Sequence, residues 1–148
     1  MIEGVSITPL RQIQNENGKV MHMIRVDSPL FTQFGEIYFS CTYPKKIKAW
    51  KRHKEMRLNC VVLQGKIKFV LYDDRENSQS KGCIQEIVMC PENYFLLTVP
   101  PLIWTGFTCM GDDMAILANC ASIPHRTEEV EVRSFDDPAI PYSWSNIK

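Results

Sequence analysis

Short runs of apolar residues, divided by polar turns, extend along most of the chain. In residues 66–74 (KIKFVLYDD), for example, Ile67, Phe69 and Leu71 stand at alternate positions. Comparable runs of β-branched, aromatic and apolar residues cover 20–26, 35–43, 59–65, 83–90, 93–101, 103–110 and 114–122. A period of two predicts half-buried β-strands, whereas the period of 3.6 typical of amphipathic helices is almost absent.

Turn-forming residues separate the predicted strands. They include Asn17-Gly18, Pro44, Gly65, the polar loop 76–82 and Pro100-Pro101. Strands at intervals of about 8–12 residues are typical of β-sandwiches and barrels, and their number here fits a jelly roll. We therefore predict an all-β fold in one domain spanning 1–148, with a core at about 18–124 and a tail, 125–148, that packs on the outside.

The composition narrows the classes of function. The 17 basic and 17 acidic residues give a formal net charge of zero, which disfavours a general nucleic-acid binder. No run approaches the ~18 apolar residues of a membrane span, and the N-terminal MIEGVSITPL lacks the plan of a signal peptide. We expect a cytoplasmic protein without a membrane or nucleic-acid partner. None of the six cysteines forms a CxxC pair, so we expect reduced, buried thiols.

Positive charge is concentrated in one segment, residues 45–57. It contains seven lysines and arginines, with His53 among them and Glu55 as the only acid. A solvated strand edge, where lysines prevent pairing between sheets, is one explanation. The other is a site for a pyrophosphate, whose oxygens match arginine and lysine, with His53 beside it as a base.

A metal site is not predicted. Such sites usually need about three histidine or carboxylate ligands that converge from neighbouring strands. His22, His53 and His125 each stand alone, and the later strand carries Trp104 and Thr105 where a second histidine would be needed.

Several short motifs follow one another between residue 72 and the C-terminus, each occurring once. They are YDDR at 72–75 with Ser78, Ser80 and Gly82 after it, MCPEN at 89–93, Val99-Pro100, Gly106-Phe107, and DPAIPYSW at 137–144. In order and spacing they resemble the dTDP-4-dehydrorhamnose 3,5-epimerases. Members of that family are cupin-type jelly rolls that act on nucleotide-linked 4-keto-6-deoxy sugars. The resemblance therefore implies a cupin-like barrel and a nucleotide-diphosphate sugar as substrate.

The resemblance also implies two catalytic residues. His53, in WKRH at 50–53, stands where the family has the histidine that removes a proton next to a ketone, and Asp137 stands where it has the carboxylate partner. Histidine suits this task because its pKa in unstructured peptides, about 6.5, is close to working pH. A carboxylate bonded to the far ring nitrogen fixes the tautomer and stabilises the imidazolium.

Further residues are expected to bind the substrate. Arg57 and Asn59 are the candidates for the family's lysine, which stabilises the enolate oxygen. The diphosphate contacts are assigned to Arg25, Lys51 and Arg52, and the remaining substrate-binding candidates are Tyr72, Trp104 and Asn119. The two aromatic residues are interpreted either as cavity lining, because aromatic faces suit sugars and nucleobases, or as barrel core.

One departure leaves the reaction open. The family reprotonates the opposite face of the sugar with a tyrosine on a late strand, but this chain has no tyrosine between Tyr94 and Tyr142. Tyr142 or Cys120 is a possible substitute. We expect an epimerase that works at C3, C5 or both, without a cofactor and as a homodimer. A keto-sugar isomerase and a non-catalytic sugar-nucleotide binder are the alternatives.

Overall fold

In the computed structural model, which describes residues 1–146, two five-stranded antiparallel sheets pack face to face beside a two-stranded hairpin. The strands are β1 Ser6–Pro9, β2 Gln12–Asn15, β3 Gly18–Met21, β4 Glu36–Thr42, β5 Ile47–His53, β6 Leu58–Gln64, β7 Ile67–Tyr72, β8 Ile84–Met89, β9 Phe95–Val99, β10 Trp104–Cys109, β11 Ala115–Ala121 and β12 Val130–Val132. Short 3-10 helices lie at Thr127–Glu129 and Trp144–Asn146.

The sheets share one apolar interior. The first sheet has the order β1-β9-β6-β11-β4 and the second the order β12-β5-β10-β7-β8, while β2 and β3 form the hairpin. Side chains from both sheets, such as Leu97 and Leu117 from the first and Phe69 and Leu71 from the second, are buried between them. The prediction of an all-β jelly roll is confirmed.

The predicted runs match β4 and β6–β11, the run 20–26 overlaps β3 only at residues 20–21, and β5 and the strands at both ends were not predicted. β1 pairs with β9, and Ile2 and Val5 are buried with the core, so the core begins before the predicted residue 18. β12 pairs with β5, so it also continues past residue 124. Residues 147–148 of the predicted tail lie outside the described residues.

The basic segment is itself a strand, β5, with β12 on one side and β10 on the other. It is therefore not a sheet edge. Its register with β10 shifts between Thr105, which faces Lys51, and Gly106, which faces Ala49. Trp50 is thus an extra residue, as in a β-bulge, and strict alternation of side chains is interrupted there.

Trp50 anchors the C-terminal segment on the outside of the second sheet. Its ring contacts Tyr142 and Trp144, with ring centroids 5.9 and 5.2 Å apart respectively. Its indole N–H donates to the carbonyl of Phe135 at 3.2 Å. A Cβ on Gly106 would lie 2.6 Å from the Ala49 Cβ and 2.9 Å from the Trp144 ring, so only glycine fits under this layer.

The first of the sequence motifs, YDDR at 72–75, begins a structural loop. Asp73 is fully buried and accepts hydrogen bonds from the side chains of Arg75, Ser78 and Ser80. Burial alone would raise the pKa of Asp73, but these hydrogen bonds lower it well below its usual range. The loop closes the end of the β7–β8 hairpin.

All six cysteines are free thiols. Cys60, Cys109 and Cys120 are buried as predicted, whereas Cys41 and Cys83 are exposed, because they lie on the outer side of an edge strand and at the end of a loop. No helix in residues 1–146 is long and apolar enough to cross a membrane.

Candidate active site

A cavity of about 290 Å³ lies between the two sheets. Its volume is close to the lower limit of small-molecule sites, ~300 Å³. Its lining combines apolar side chains with a few polar ones: Tyr38, Ser40, Ile47, Lys48, Ala49, Lys51, His53, Leu58, Cys60, Phe69, Thr105, Phe107, Leu117 and Asn119. The polar groups come from both walls.

His53, the last residue of β5, is largely buried at 9% exposure. Its Nδ1 is hydrogen-bonded to Oε1 of Glu129. The other oxygen of Glu129 accepts the backbone N–H groups of Glu55 at 3.2 Å and Met56 at 3.3 Å. The carboxylate is therefore held by the turn that follows β5, and it in turn holds the imidazole.

The charge of Glu129 determines which ring nitrogen is free. Burial would raise the pKa of Glu129, but the hydrogen bonds from His53 and the two backbone N–H groups lower it below its usual value. Glu129 is therefore ionised at neutral pH and accepts the Nδ1–H of His53. Nε2 remains as the nitrogen with an unshared electron pair, which is the form that a base requires.

The bulge in β5 brings two lysines to the same side as His53. Lys48, Lys51 and His53 all line the cavity, although strict alternation would place Lys48 on the opposite side. Lys48 donates to Oγ of Ser40 at 2.7 Å and to the carbonyl of Cys41 at 2.9 Å. Burial and the neighbouring charge of Lys51 lower the pKa of Lys48. Both lysines remain exposed to solvent, so positive charge accumulates along this wall of the cavity.

Tyr38 projects into the cavity from the other wall, on β4. Its cross-strand partner is Asn119 on β11, whose Nδ2 donates to the Tyr38 hydroxyl at 2.8 Å. Oδ1 of Asn119 accepts the backbone N–H of Asn59 at 2.9 Å, which fixes the amide. Burial raises the pKa of Tyr38, so the phenol stays protonated at neutral pH.

A second pocket of about 260 Å³ adjoins the cavity. Tyr38, Lys51 and His53 line both spaces, while Glu36 and His125 line the second one alone. These three shared residues lie where the two spaces meet. A ligand longer than a single sugar ring therefore has room to continue past them.

The prediction that Asp137 is the partner of His53 is wrong. Asp137 lies 3.5 Å from Arg133 and accepts the backbone N–H of Ala139 at 2.8 Å, so it stabilises a turn within the tail. The partner is Glu129, which sequence analysis placed in no site. The carboxylate that bonds His53 therefore comes from the 3-10 helix Thr127–Glu129, which precedes the DPAIPYSW motif in the chain.

Three predicted binding residues lie on the outside of the second sheet, away from the cavity. Arg52 pairs with Asp74 and Glu131, each at 2.7 Å, and covers the Trp104 ring. Trp104 donates its indole N–H to Asp74, and Tyr72 packs in the same outer cluster. The predictions that Trp104 and Tyr72 line the cavity and that Arg52 binds the diphosphate are therefore wrong for this cavity. Alternation along β5, β7 and β10 turns these side chains outward.

Asn59, Arg57 and Arg25 are also absent from the cavity lining. The Asn59 amide donates to the carbonyl of Cys120 and accepts from Thr98, so it is used in the scaffold. Leu58 and Cys60 face the cavity, and alternation turns Arg57 and Asn59 away from it. Arg25 pairs with Asp27 on the surface at 2.7 Å. Of the predicted set, the structure brings His53, Lys51 and Asn119 together.

Sequence analysis missed Glu129, Tyr38 and Lys48. A usable signal existed for Tyr38, because β4 was predicted and its alternation places Tyr38 and Ser40 on one face. No such signal existed for Glu129, which follows the strands in an acidic run typical of a solvated surface. Within residues 1–146, no three histidine, cysteine or acidic side chains are grouped as metal ligands would be.

Comparison with known proteins gives consistent results. A family model described as dTDP-4-dehydrorhamnose 3,5-epimerase matches residues 47–148. The probable low-salt glycan biosynthesis epimerase Agl13 of Haloferax volcanii is 30% identical over 143 residues, which are 95% of this chain and 88% of that protein. The spore coat polysaccharide biosynthesis protein SpsL of Bacillus subtilis is 26% identical over 98% of this chain and 97% of its own.

A solved structure is similar along nearly the whole chain. The crystal structure of a dTDP sugar isomerase from Desulfovibrio desulfuricans G20 has a TM-score of 0.96 and 48% sequence identity. The match covers 99% of this chain and 94% of that one.

Proposed function

Because the chain belongs to the dTDP-4-dehydrorhamnose 3,5-epimerase family, we propose that it epimerises a nucleotide-linked 4-keto-6-deoxy sugar. The observation that carries this proposal is the pair of His53 and Glu129, which presents a base to a cavity between the sheets. The reaction moves only protons, so it needs no redox cofactor. C3, C5 or both are the carbons next to the ketone of such a sugar.

The first step is removal of a proton next to the ketone. Nε2 of His53 accepts the proton, and the ionised Glu129 stabilises the imidazolium that results. The electron pair of the broken C–H bond forms the C=C bond of an enolate, and negative charge moves to the ketone oxygen. An ion pair in this largely buried position stabilises that charge separation more than one in water does.

The enolate oxygen needs a positive partner. Lys51 lines both the cavity and the adjoining pocket, on the same side of β5 as His53. Lys48 lies before the bulge and lines the cavity from the same side. We assign stabilisation of the negative charges on the enolate and the diphosphate to these two lysines. They take the place of the predicted Arg57, Arg25 and Arg52. Lysine also donates hydrogen bonds, which adds to its stabilisation of oxygen anions.

The two curated relatives carry names from glycan and polysaccharide biosynthesis. We propose the same setting for this chain, as a step that prepares an activated deoxysugar for a polymer. We also propose a cytoplasmic location, which six free thiols favour because reduced cysteines are usual in that compartment.

Deuterium exchange tests the function directly. Incubating the protein in D2O with a dTDP-linked 4-keto-6-deoxyhexose should introduce deuterium at C3, C5 or both, because the abstracted proton equilibrates with solvent. NMR should show loss of the proton signal at each exchanging carbon and the appearance of the inverted sugar. The same substrate without protein gives the background rate.

The outcomes separate the alternatives. A carbonyl that migrates to a neighbouring carbon identifies a keto-sugar isomerase. Absence of exchange, with retained binding of dTDP, identifies a non-catalytic binder and contradicts the proposed function.

We propose that the protein is a homodimer that pairs through β4. This edge strand of seven residues has no lysine, and Ile37 and Phe39 on its outer side are 52% and 61% exposed. Edge strands left open to solvent are usually short or charged. Light scattering should therefore give twice the protomer mass of 17.1 kDa, and Phe39→Lys should reduce the mass to that of the protomer. A wild-type protein at the protomer mass at micromolar concentration contradicts the proposal.

A further inference from the structure

Inversion at a carbon requires two groups, because the proton leaves one face of the sugar and its replacement arrives on the other. His53 and Glu129 account for one face only. We propose that Tyr38 is the proton donor for the opposite face and that Asn119 is its positioning residue, an inference that rests on the proposed function.

The first argument is position. Tyr38 lies on β4 in the first sheet and His53 on β5 in the second, and both line the cavity and the adjoining pocket. The two sheets are the opposing walls of this space. A sugar ring that lies between the walls presents one face to His53 and the other to Tyr38.

The second argument is the availability of the phenolic proton. Asn119 donates to the Tyr38 oxygen, so an acceptor site of this oxygen is occupied and its own O–H is left to donate. No described residue accepts that proton in a hydrogen bond. The same hydrogen bond from the Asn119 amide stabilises the phenolate that forms after Tyr38 donates its proton. Because the backbone N–H of Asn59 fixes the Asn119 amide, the donor is held in place before substrate arrives.

The third argument is that several other protic groups are already engaged or lie elsewhere. Within the cavity, the Thr105 hydroxyl donates a hydrogen bond to the carbonyl of Lys51, and the Lys48 ammonium donates one to Ser40 on β4. Burial raises the pKa of the Cys60 thiol to about 12, and no described residue is hydrogen-bonded to its sulfur to stabilise a thiolate. The substitutes considered from the sequence, Tyr142 and Cys120, do not line the cavity, and Tyr142 donates to Glu86 on the outer face.

The step balances without another reactant. The C=C electron pair of the enolate takes the Tyr38 proton to form a new C–H bond, the O–H bond breaks, and the ketone is restored. Tyr38 is left as phenolate and His53 as imidazolium. Exchange with water returns a proton to Tyr38 and removes one from His53, and the enzyme is ready for the next substrate.

Tyr38→Phe separates the two faces experimentally. With a dTDP-linked 4-keto-6-deoxyhexose in D2O, the variant should still exchange deuterium into the unreacted substrate, because His53 removes the proton and returns a deuteron to the same face. Formation of the inverted sugar should fall by about 10²–10⁴-fold, the usual contribution of a general acid. NMR measures both rates in one sample.

Tyr43→Phe is the matched control: Tyr43 directly follows β4, is 67% exposed and does not line the cavity, so this variant should invert the sugar at the wild-type rate. A Tyr38→Phe variant that inverts at the wild-type rate overturns the proposal. So does a folded variant that loses exchange together with inversion, because the hydroxyl then acts before or during proton removal. If wild-type protein neither exchanges nor inverts, the proposed function itself fails, which is a distinguishable result.

Discussion

Replacing His53 with asparagine is expected to reduce deuterium exchange into the substrate by about 10²–10⁴-fold. Asparagine is smaller than histidine, and its amide nitrogen can still donate to Glu129, so the carboxylate keeps a partner. It cannot accept a proton at neutral pH. Exchange at every carbon should decline together, because the same base starts each inversion. The measurement is the initial rate of deuterium entry by NMR at saturating substrate.

Two controls make the result of His53→Asn interpretable. His22→Asn, in the loop after β3, removes a histidine that does not line the cavity, and it should exchange at the wild-type rate. The affinity of the His53→Asn variant for dTDP, measured by calorimetry, should stay within a few-fold of wild type, as the lysines remain. A variant that exchanges at the wild-type rate shows that His53 is not the base.

Glu129→Gln is expected to lower the exchange rate by about 10²–10⁴-fold while leaving the cavity residues in place. A neutral amide does not stabilise the imidazolium, and its single acceptor oxygen can serve either the Nδ1–H of His53 or the two backbone N–H groups that Glu129 binds, but not both. The loss should therefore lie in kcat rather than in KM. Unfolding in urea should also show a stability loss of about 1–3 kcal/mol at pH 7, since buried donors are left without an acceptor.

The stability loss in Glu129→Gln should depend on pH. Folding lowers the pKa of Glu129, so its contribution is fully present above the unfolded value of ~4.3 and is lost as pH falls through the folded value. The difference between wild type and variant should therefore begin to shrink as pH falls below ~4.3 and should disappear once pH is below the folded pKa. Glu128→Gln, an exposed neighbour in the same 3-10 helix, should match wild type in rate and stability. Equal kinetics in the two variants contradicts the role of Glu129.

Much of the fold could be predicted from local sequence pattern, because apolar and polar residues alternate along a strand that is buried on one side. The runs from β6 to β11 carry a strong apolar period and were predicted within a few residues. β1, β2 and β12 are only three or four residues long and largely exposed, so their formation depends on pairing with distant strands that no local pattern records. β5 was obscured by its charges, because Lys48 and Lys51 line the cavity and Arg52 forms ion pairs on the outer face, so the strand shows no simple apolar period.

The candidate site was predicted in part. His53 was identified from its basic surroundings and from the order of motifs. Its partner was not, since the carboxylate that reaches Nδ1 depends on where the chain crosses the end of β5 after β11. Glu129 and Asp137 are equivalent candidates by residue type, and only the tertiary path distinguishes them. Tyr38 lies on a strand far from the motifs, and its role depends on its pairing with Asn119.

The extra residue in β5 links the cavity to the aromatic layer on the outer side of the second sheet. Trp50 occupies the bulge and packs against the aromatic side chains of the C-terminal segment. The same bulge places Lys48 on the cavity side of β5. Mutations under that layer are therefore a route by which evolution can retune the electrostatic potential felt by a substrate from the far side of a sheet. Specificity within such enzymes can diverge while every ligand-contacting side chain stays the same.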